Sequence, residues 1–163
     1  MTAGGENAVR ATMIGQQSQL SASVFDPAHP VAQVRLLQGK TLVGSARGHS
    51  LRTDRPLANG GSDLGPTSGE LLLIAIGSCV VGTLNGFLTA GGETPDGLTA
   101  TVRFDAAAGA EKFGRILVDV RIPGVAGAEQ RPELVAAAGA GRVTQRIRAG
   151  SEVAIRIVGD DAT

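Results

Sequence analysis

Few side chains in this chain of 163 residues are equipped for chemistry. Cys79 is the single cysteine. A lone thiol can attack an electrophile and be oxidised, or it can simply fill a small apolar space in a core. To attack, it must be a thiolate, which takes a nearby cation or helix N-terminus to bring its pKa below about 8.5. Glu70 stands nine residues earlier. Within one regular helix that spacing is about two and a half turns, so the two side chains point to opposite sides, roughly 13 Å apart along the axis. Glu70 therefore reads either as an acid or as the second half of a helix cap in Thr67-Ser68-Gly69-Glu70. Arg142 is a candidate to line a pocket for an anionic ligand, and equally a solvated helix residue. His29, between Pro27 and Pro30, and His49 complete the set. With Cys79 they are too sparse for a structural zinc site, and neither a metal nor an organic cofactor is expected. No Ser/His/Asp triad, Walker loop or paired-carboxylate constellation can be read.

Composition narrows the classes further. Lys plus Arg and Asp plus Glu both number 15, which gives no global electrostatic case for nucleic acid or an acidic membrane surface. There is no Trp or Tyr and there are only four Phe, which argues against stacking single-stranded bases. Apolar residues at 42% suffice for a packed core, and the length fits one domain over residues 1–163, with residues 1–45 as N-terminal strands and loops. Residues 1–10 are polar and lack the apolar region of a secretory signal, so the expected compartment is a reducing cytoplasm. Residues 71–92 carry no charge and could span a bilayer by length. Ser78, Thr83, Asn85, Thr89 and five glycines interrupt that run, and no basic cluster flanks it, so it predicts the buried helix of a soluble protein.

The elements that must position these residues follow from period and punctuation. Val9, Ala11 and Met13 alternate with polar neighbours. Val34 to Leu37 and Thr41 to Ala46 flank Gly39-Lys40 as a hairpin, His49 to Asp54 is extended, and Asn59-Gly60-Gly61 with Gly65-Pro66 marks a loop. The capping box then opens a helix whose first residues, Leu71 to Ile76, are apolar on every side, which predicts burial all round, and Gly91-Gly92 ends it. Two strands follow. Leu98, Ala100, Val102 and Phe104 share one face of the first, and Ile116, Val118, Val120 and Ile122 one face of the second, with Ala106 to Lys112 between them. A second helix spans about Gln130 to Arg148, with Pro132 in its first turn and a weak stretch at Ala138-Gly139-Ala140-Gly141 where it bends or breaks. Val153, Ile155 and Ile157 form a last strand with Glu152 and Arg156 outward. One-sided strands covered by helices give an α+β architecture: strands, helix, two strands, helix, strand.

The stretch from Gly60 to Cys79, GGSDLGPTSGELLLIAIGSC, resembles the OsmC/Ohr family of osmotically inducible and organic hydroperoxide resistance proteins. A Gly/Pro loop, a Glu-Leu-Leu helix start and a mid-helix Ser-Cys occur there together, and the resemblance extends over about residues 45 to 158. It implies an OsmC-like α+β fold in an intertwined homodimer. It also implies a peroxiredoxin-like oxidoreductase for oxidative stress defence, in which Cys79 attacks an organic hydroperoxide. The family's resolving cysteine, in a Cys-Pro-Val stretch, corresponds to Gly141-Arg142-Val143, so that thiol is absent. The family's catalytic Glu falls on Gly69, one residue before Glu70. Arg35, Arg47, Arg52 and Arg55 are the candidates for the activating cation. The expected function is thus a one-cysteine hydroperoxide reductase served by an external thiol. The alternative is a catalytically inactive dimer that binds a small hydrophobic ligand in its interfacial pocket. Neither nucleic acid nor membrane is an expected partner.

Overall fold

The computed structural model describes residues 30–105, 115–125 and 127–157. The expected strand at Val9 to Met13, His29 and the connection Ala106 to Lys112 lie outside them. Two units divide the chain, Met1–Glu70 and Leu71–Thr163.

In the first unit, β1 (Gln33–Gln38), β2 (Thr41–Ala46) and β3 (His49–Thr53) form an antiparallel sheet in that order, with the expected turn at Gly39-Lys40. β3 leads into Asp54, which is only 3% exposed and organises the loop that follows. Its carboxylate accepts hydrogen bonds from the N–H groups of Arg55 (2.7 Å), Ser62 (3.1 Å) and Leu64 (3.4 Å) and from the Thr41 hydroxyl (3.1 Å). Burial pushes the Asp54 carboxyl up, but these donors outweigh it and hold the pKa below its ordinary value. The capping box forms as the sequence predicts. The Thr67 N–H and hydroxyl both donate to Glu70 Oε2 (2.7 and 2.8 Å), and the Glu70 N–H donates to the Thr67 hydroxyl (3.3 Å).

The cap starts α1 (Ser68–Ala90). It closes in a Schellman motif, with the Glu93 N–H on the Leu88 carbonyl (2.9 Å), the Gly92 N–H on the Thr89 carbonyl (3.0 Å), and Gly92 at φ +81°. In the second unit, β4 (Thr99–Phe104) pairs antiparallel with β5 (Ile116–Arg121) in a register that places Ala100 opposite Val120, Val102 opposite Val118 and Phe104 opposite Ile116. Those are the faces read from the alternation, and both turn toward the core. Ile76, Val80, Leu84 and Leu88, one stripe of α1 at four-residue steps, form that core with Leu134, and the strands' inward residues pack around it.

Three expectations change. The helix read as one span from Gln130 to Arg148 is two, α2 (Pro132–Gly139) and α3 (Arg142–Ala149), broken at the weak stretch. Across the break, the Gln145 side-chain amide donates to the Gly139 carbonyl (2.7 Å). Among the described residues α1 is not covered on all sides: its buried residues are confined to the one stripe, while Leu72, Ile74 and Phe87 are exposed. By length and composition α1 could cross a membrane, but its stripe is built into the core of the second unit. Residues 151–157 form no strand. Val153, Ile155 and Ile157 are 80%, 84% and 91% exposed, since alternation makes a strand only where a neighbour offers a hydrogen-bonding edge.

Leu84 is 1% exposed at the centre of the stripe, so Leu84→Ala should lower the free energy of unfolding by about 2–5 kcal/mol in a denaturant titration. A carboxyl held below its unfolded-state pKa, about 3.9 for Asp, contributes stability above that value and loses it as pH falls through the folded-state pKa. Denaturant midpoints followed through the acid range should therefore drop below about pH 4, and Asp54→Asn should flatten that part of the profile.

Candidate functional site

Val80 belongs to the buried stripe of α1, and Cys79 precedes it by one residue. A step of one residue turns the side chain by about 100°, which carries Cys79 out of the stripe. The thiol is half-buried. It faces the start of α3, where Gly141 occupies the N-cap position with extended backbone (φ −63°, ψ 144°) and no side chain caps the helix. Gly141 is buried against the sulfur: a Cβ there would collide with Cys79 Sγ and lie 2.9 Å from the Thr83 hydroxyl.

The first N–H groups of a helix have no intrahelical acceptor. In α3 the first intrahelical bond is that of the Gln145 N–H to the Gly141 carbonyl (2.9 Å), which leaves the N–H groups of Val143 and Thr144 for the thiol. Burial pushes the Cys79 thiol up. The N–H groups of Thr144 and Val143, followed by the Thr144 and Thr83 hydroxyls, favour the thiolate and together hold the pKa below the usual thiol value. The amides carry most of this, because the Thr83 hydroxyl already donates to the Cys79 carbonyl (2.8 Å). The Thr144 hydroxyl, which approaches the sulfur, is sealed from solvent and makes no other hydrogen bond.

The thiol's electrostatic partner is therefore a second helix's N-terminus. The sequence pointed to an Arg from another segment as the source of that charge, and it held no local signal that residues 143 and 144 lie against residue 79. Glu70 is engaged in the cap of α1, where hydrogen bonds from the Thr67 N–H and hydroxyl hold its carboxyl below the ordinary range. Arg142 opens α3 as an exposed residue and is not among those lining the cavity described next. His49 is exposed on β3.

A cavity of ≈ 570 Å³ lies against β5 and the two short helices, within the usual range for small-molecule sites of about 300–1,000 Å³. Val80, Leu84, Val118, Val120, Leu134 and Ala138 form its apolar wall. Thr144 also lines it, so one residue touches both the cavity and the thiol.

Comparison with known proteins adds a family. A family model described as OsmC-like protein matches residues 60–155, more than half of the chain. Among solved structures, the chain superposes on a Psychrobacter arcticus protein assigned to the osmotic stress induced and detoxification response (TM-score 0.62, 15% identity, 75% of this chain and 90% of that one). It also matches an organic hydroperoxide resistance protein OsmC from Legionella pneumophila (TM-score 0.56, 17% identity, 76% and 92%) and an OsmC-like protein from Mycoplasma pneumoniae (0.60, 14%, 77% and 91%). At these identities the likeness establishes a shared α+β fold. Comparison with curated protein sequences finds no match.

Alkylation of Cys79 by iodoacetamide should have its pH midpoint below that of an ordinary thiol, and Thr144→Val should shift that midpoint upward. A native midpoint at or above the ordinary thiol value would remove the amide contribution argued here.

Proposed function

This chain belongs to the OsmC-like protein family, and we propose that it is a one-cysteine organic hydroperoxide reductase with Cys79 as the attacking thiol. The observation that carries the reading is the uncapped N-terminus of α3, whose amides favour a thiolate at Cys79. The name of the Legionella relative, an organic hydroperoxide resistance protein, directs the choice of substrate. In the reaction, the Cys79 thiolate attacks the distal oxygen of ROOH. The S–O bond forms, the O–O bond breaks, and the leaving alkoxide takes a proton to become ROH. An external thiol then attacks the sulfenic acid and displaces water to leave a mixed disulfide. A second external thiol releases Cys79, and the two external thiols leave as a disulfide. The sum is ROOH plus two thiols to ROH, one disulfide and water. Gly141 fits this sequence, since it stands where the family's resolving cysteine is expected and a side chain there would crowd the sulfur. A cytoplasmic thiol pool is the natural reductant.

The working unit in this reading is an intertwined homodimer. Exposed Leu72, Ile74 and Phe87 on α1 and the unpaired alternation at Val153, Ile155 and Ile157 are the surfaces a second copy would cover. A second reading draws on the ≈ 570 Å³ cavity: a catalytically inactive dimer that holds a small hydrophobic ligand.

Stopped-flow mixing with cumene hydroperoxide should consume one thiol per chain, and dimedone should trap a sulfenic acid on Cys79. Cys79→Ser should abolish thiol-dependent turnover, and turnover that survives in this variant would exclude the enzyme reading. Sedimentation should give a dimer, and Ile74→Lys should shift it toward monomer.

A further inference from the structure

Another cavity, of ≈ 280 Å³, lies wholly within the first unit, between the β2–β3 pair and the first residues of α1. Leu42 and Thr53, opposite each other in the register, share the sheet face that lines it. Thr53 is only 7% exposed, and among the described residues its hydroxyl has no hydrogen-bond partner, so a buried polar group is left facing the cavity. Asp54, the next residue, turns its carboxylate to the opposite face, where Thr41, Ser62 and Leu64, none of which lines the cavity, donate to it. The Lys40 ammonium stands at the rim, where it donates to the Asn59 carbonyl (2.6 Å) and keeps two further N–H groups. Gly60, at φ +72°, makes room for it, since a Cβ there would lie 2.9 Å from Nζ. Arg55 also lines the cavity, and among the described residues its guanidinium has no ion pair. At the start of α1 the capping box takes up the N–H groups of Thr67 and Glu70, which leaves those of Ser68 and Gly69 without an intrahelical acceptor. Ser68 and Gly69 line the cavity, whereas Glu70 does not, its carboxylate being turned back onto Thr67.

We propose that this cavity is a binding site for a phosphoryl dianion, held by the Lys40 ammonium, the Arg55 guanidinium, the Thr53 hydroxyl and the N–H groups of Ser68 and Gly69. These donors come from the β1–β2 turn, from β3 and the residues after it, and from a helix start. They exceed what the two oxygens of a carboxylate can serve, whereas a phosphoryl group presents at least three oxygens to them. Free phosphate and a small phosphate monoester share this chemistry. No residue of the thiol site lines the cavity, so the inference is independent of the reaction at Cys79.

Calorimetric titration of the full-length protein with inorganic phosphate and with glycerol 3-phosphate tests it, at constant ionic strength and with glycerol as the neutral control. Both phosphates should bind and glycerol should not. Thr53→Val keeps the branched shape of the side chain and removes its hydroxyl. It should weaken both phosphates by about tenfold, the worth of one hydrogen bond to a charged group. It should also raise the Tm of the ligand-free protein, because an unpaired buried hydroxyl is gone. Lys40→Met should weaken both phosphates by a similar factor, and Cys79→Ser should bind them as the native chain does. Tighter binding of the monoester than of free phosphate would identify an organic phosphate as the occupant, and equal or weaker binding would identify the free ion. Heats no larger than those of glycerol, or native affinity in either Thr53→Val or Lys40→Met, would overturn the site.

Discussion

The contact of one stripe of α1, Ile76, Val80, Leu84 and Leu88, with the inner face of β4 and β5 is the constraint from which the rest of the second unit follows. Leu84 and Leu88 are both 1% exposed, so the helix cannot roll about its axis without uncovering them. With rotation forbidden, the direction of Cys79 is set by its place one residue before Val80. The thiol's surroundings are thus a by-product of aliphatic packing, and the chemistry inherits its aim from the core.

The helix N-termini on either side of the thiol chemistry are used in opposite ways. At α1 the orphan donors meet a side-chain cap in which Thr67 and Glu70 serve each other, so little positive potential remains to share. At α3 the N-cap is Gly141, which has no side chain to offer, and the donors remain for a group from another element. A fixed pair of backbone N–H groups cannot swing away as a long cationic side chain can, and it does not titrate. A thiolate stabilised this way loses less to solvent screening than one beside a surface Arg.

Much of this was legible from the residues themselves. The alternation in residues 98–104 and 116–122 identified both strands and their inner faces, the Thr67/Glu70 spacing identified the start of α1, and the weak Ala-Gly stretch identified where α2 ends. These signals are local, and local geometry answers them. What could not be read was tertiary. Asp54 looked like the tail of a strand, because nothing in its neighbours shows that the amides of Ser62 and Leu64 curl back onto it. The approach of Val143 and Thr144 to Cys79 had only the indirect trace of Gly141 at the family's second-cysteine position. Val153, Ile155 and Ile157 have a strand's pattern, but a pattern specifies a face and not a neighbour. The same holds for α1, whose uniform apolarity demands cover without saying which chain provides it.

The interruption between α2 and α3 has a consequence beyond shape. Were residues 132–149 one unbroken helix, the N–H groups of Val143 and Thr144 would be spent on the carbonyls of Gly139 and Ala140. The break withdraws them from that ladder, and the Gln145 amide stands in at the Gly139 carbonyl, so the discontinuity strands donors without stranding the acceptor opposite. A mutation that healed the helix could make the protein more regular and more stable while leaving its sulfur chemically mute.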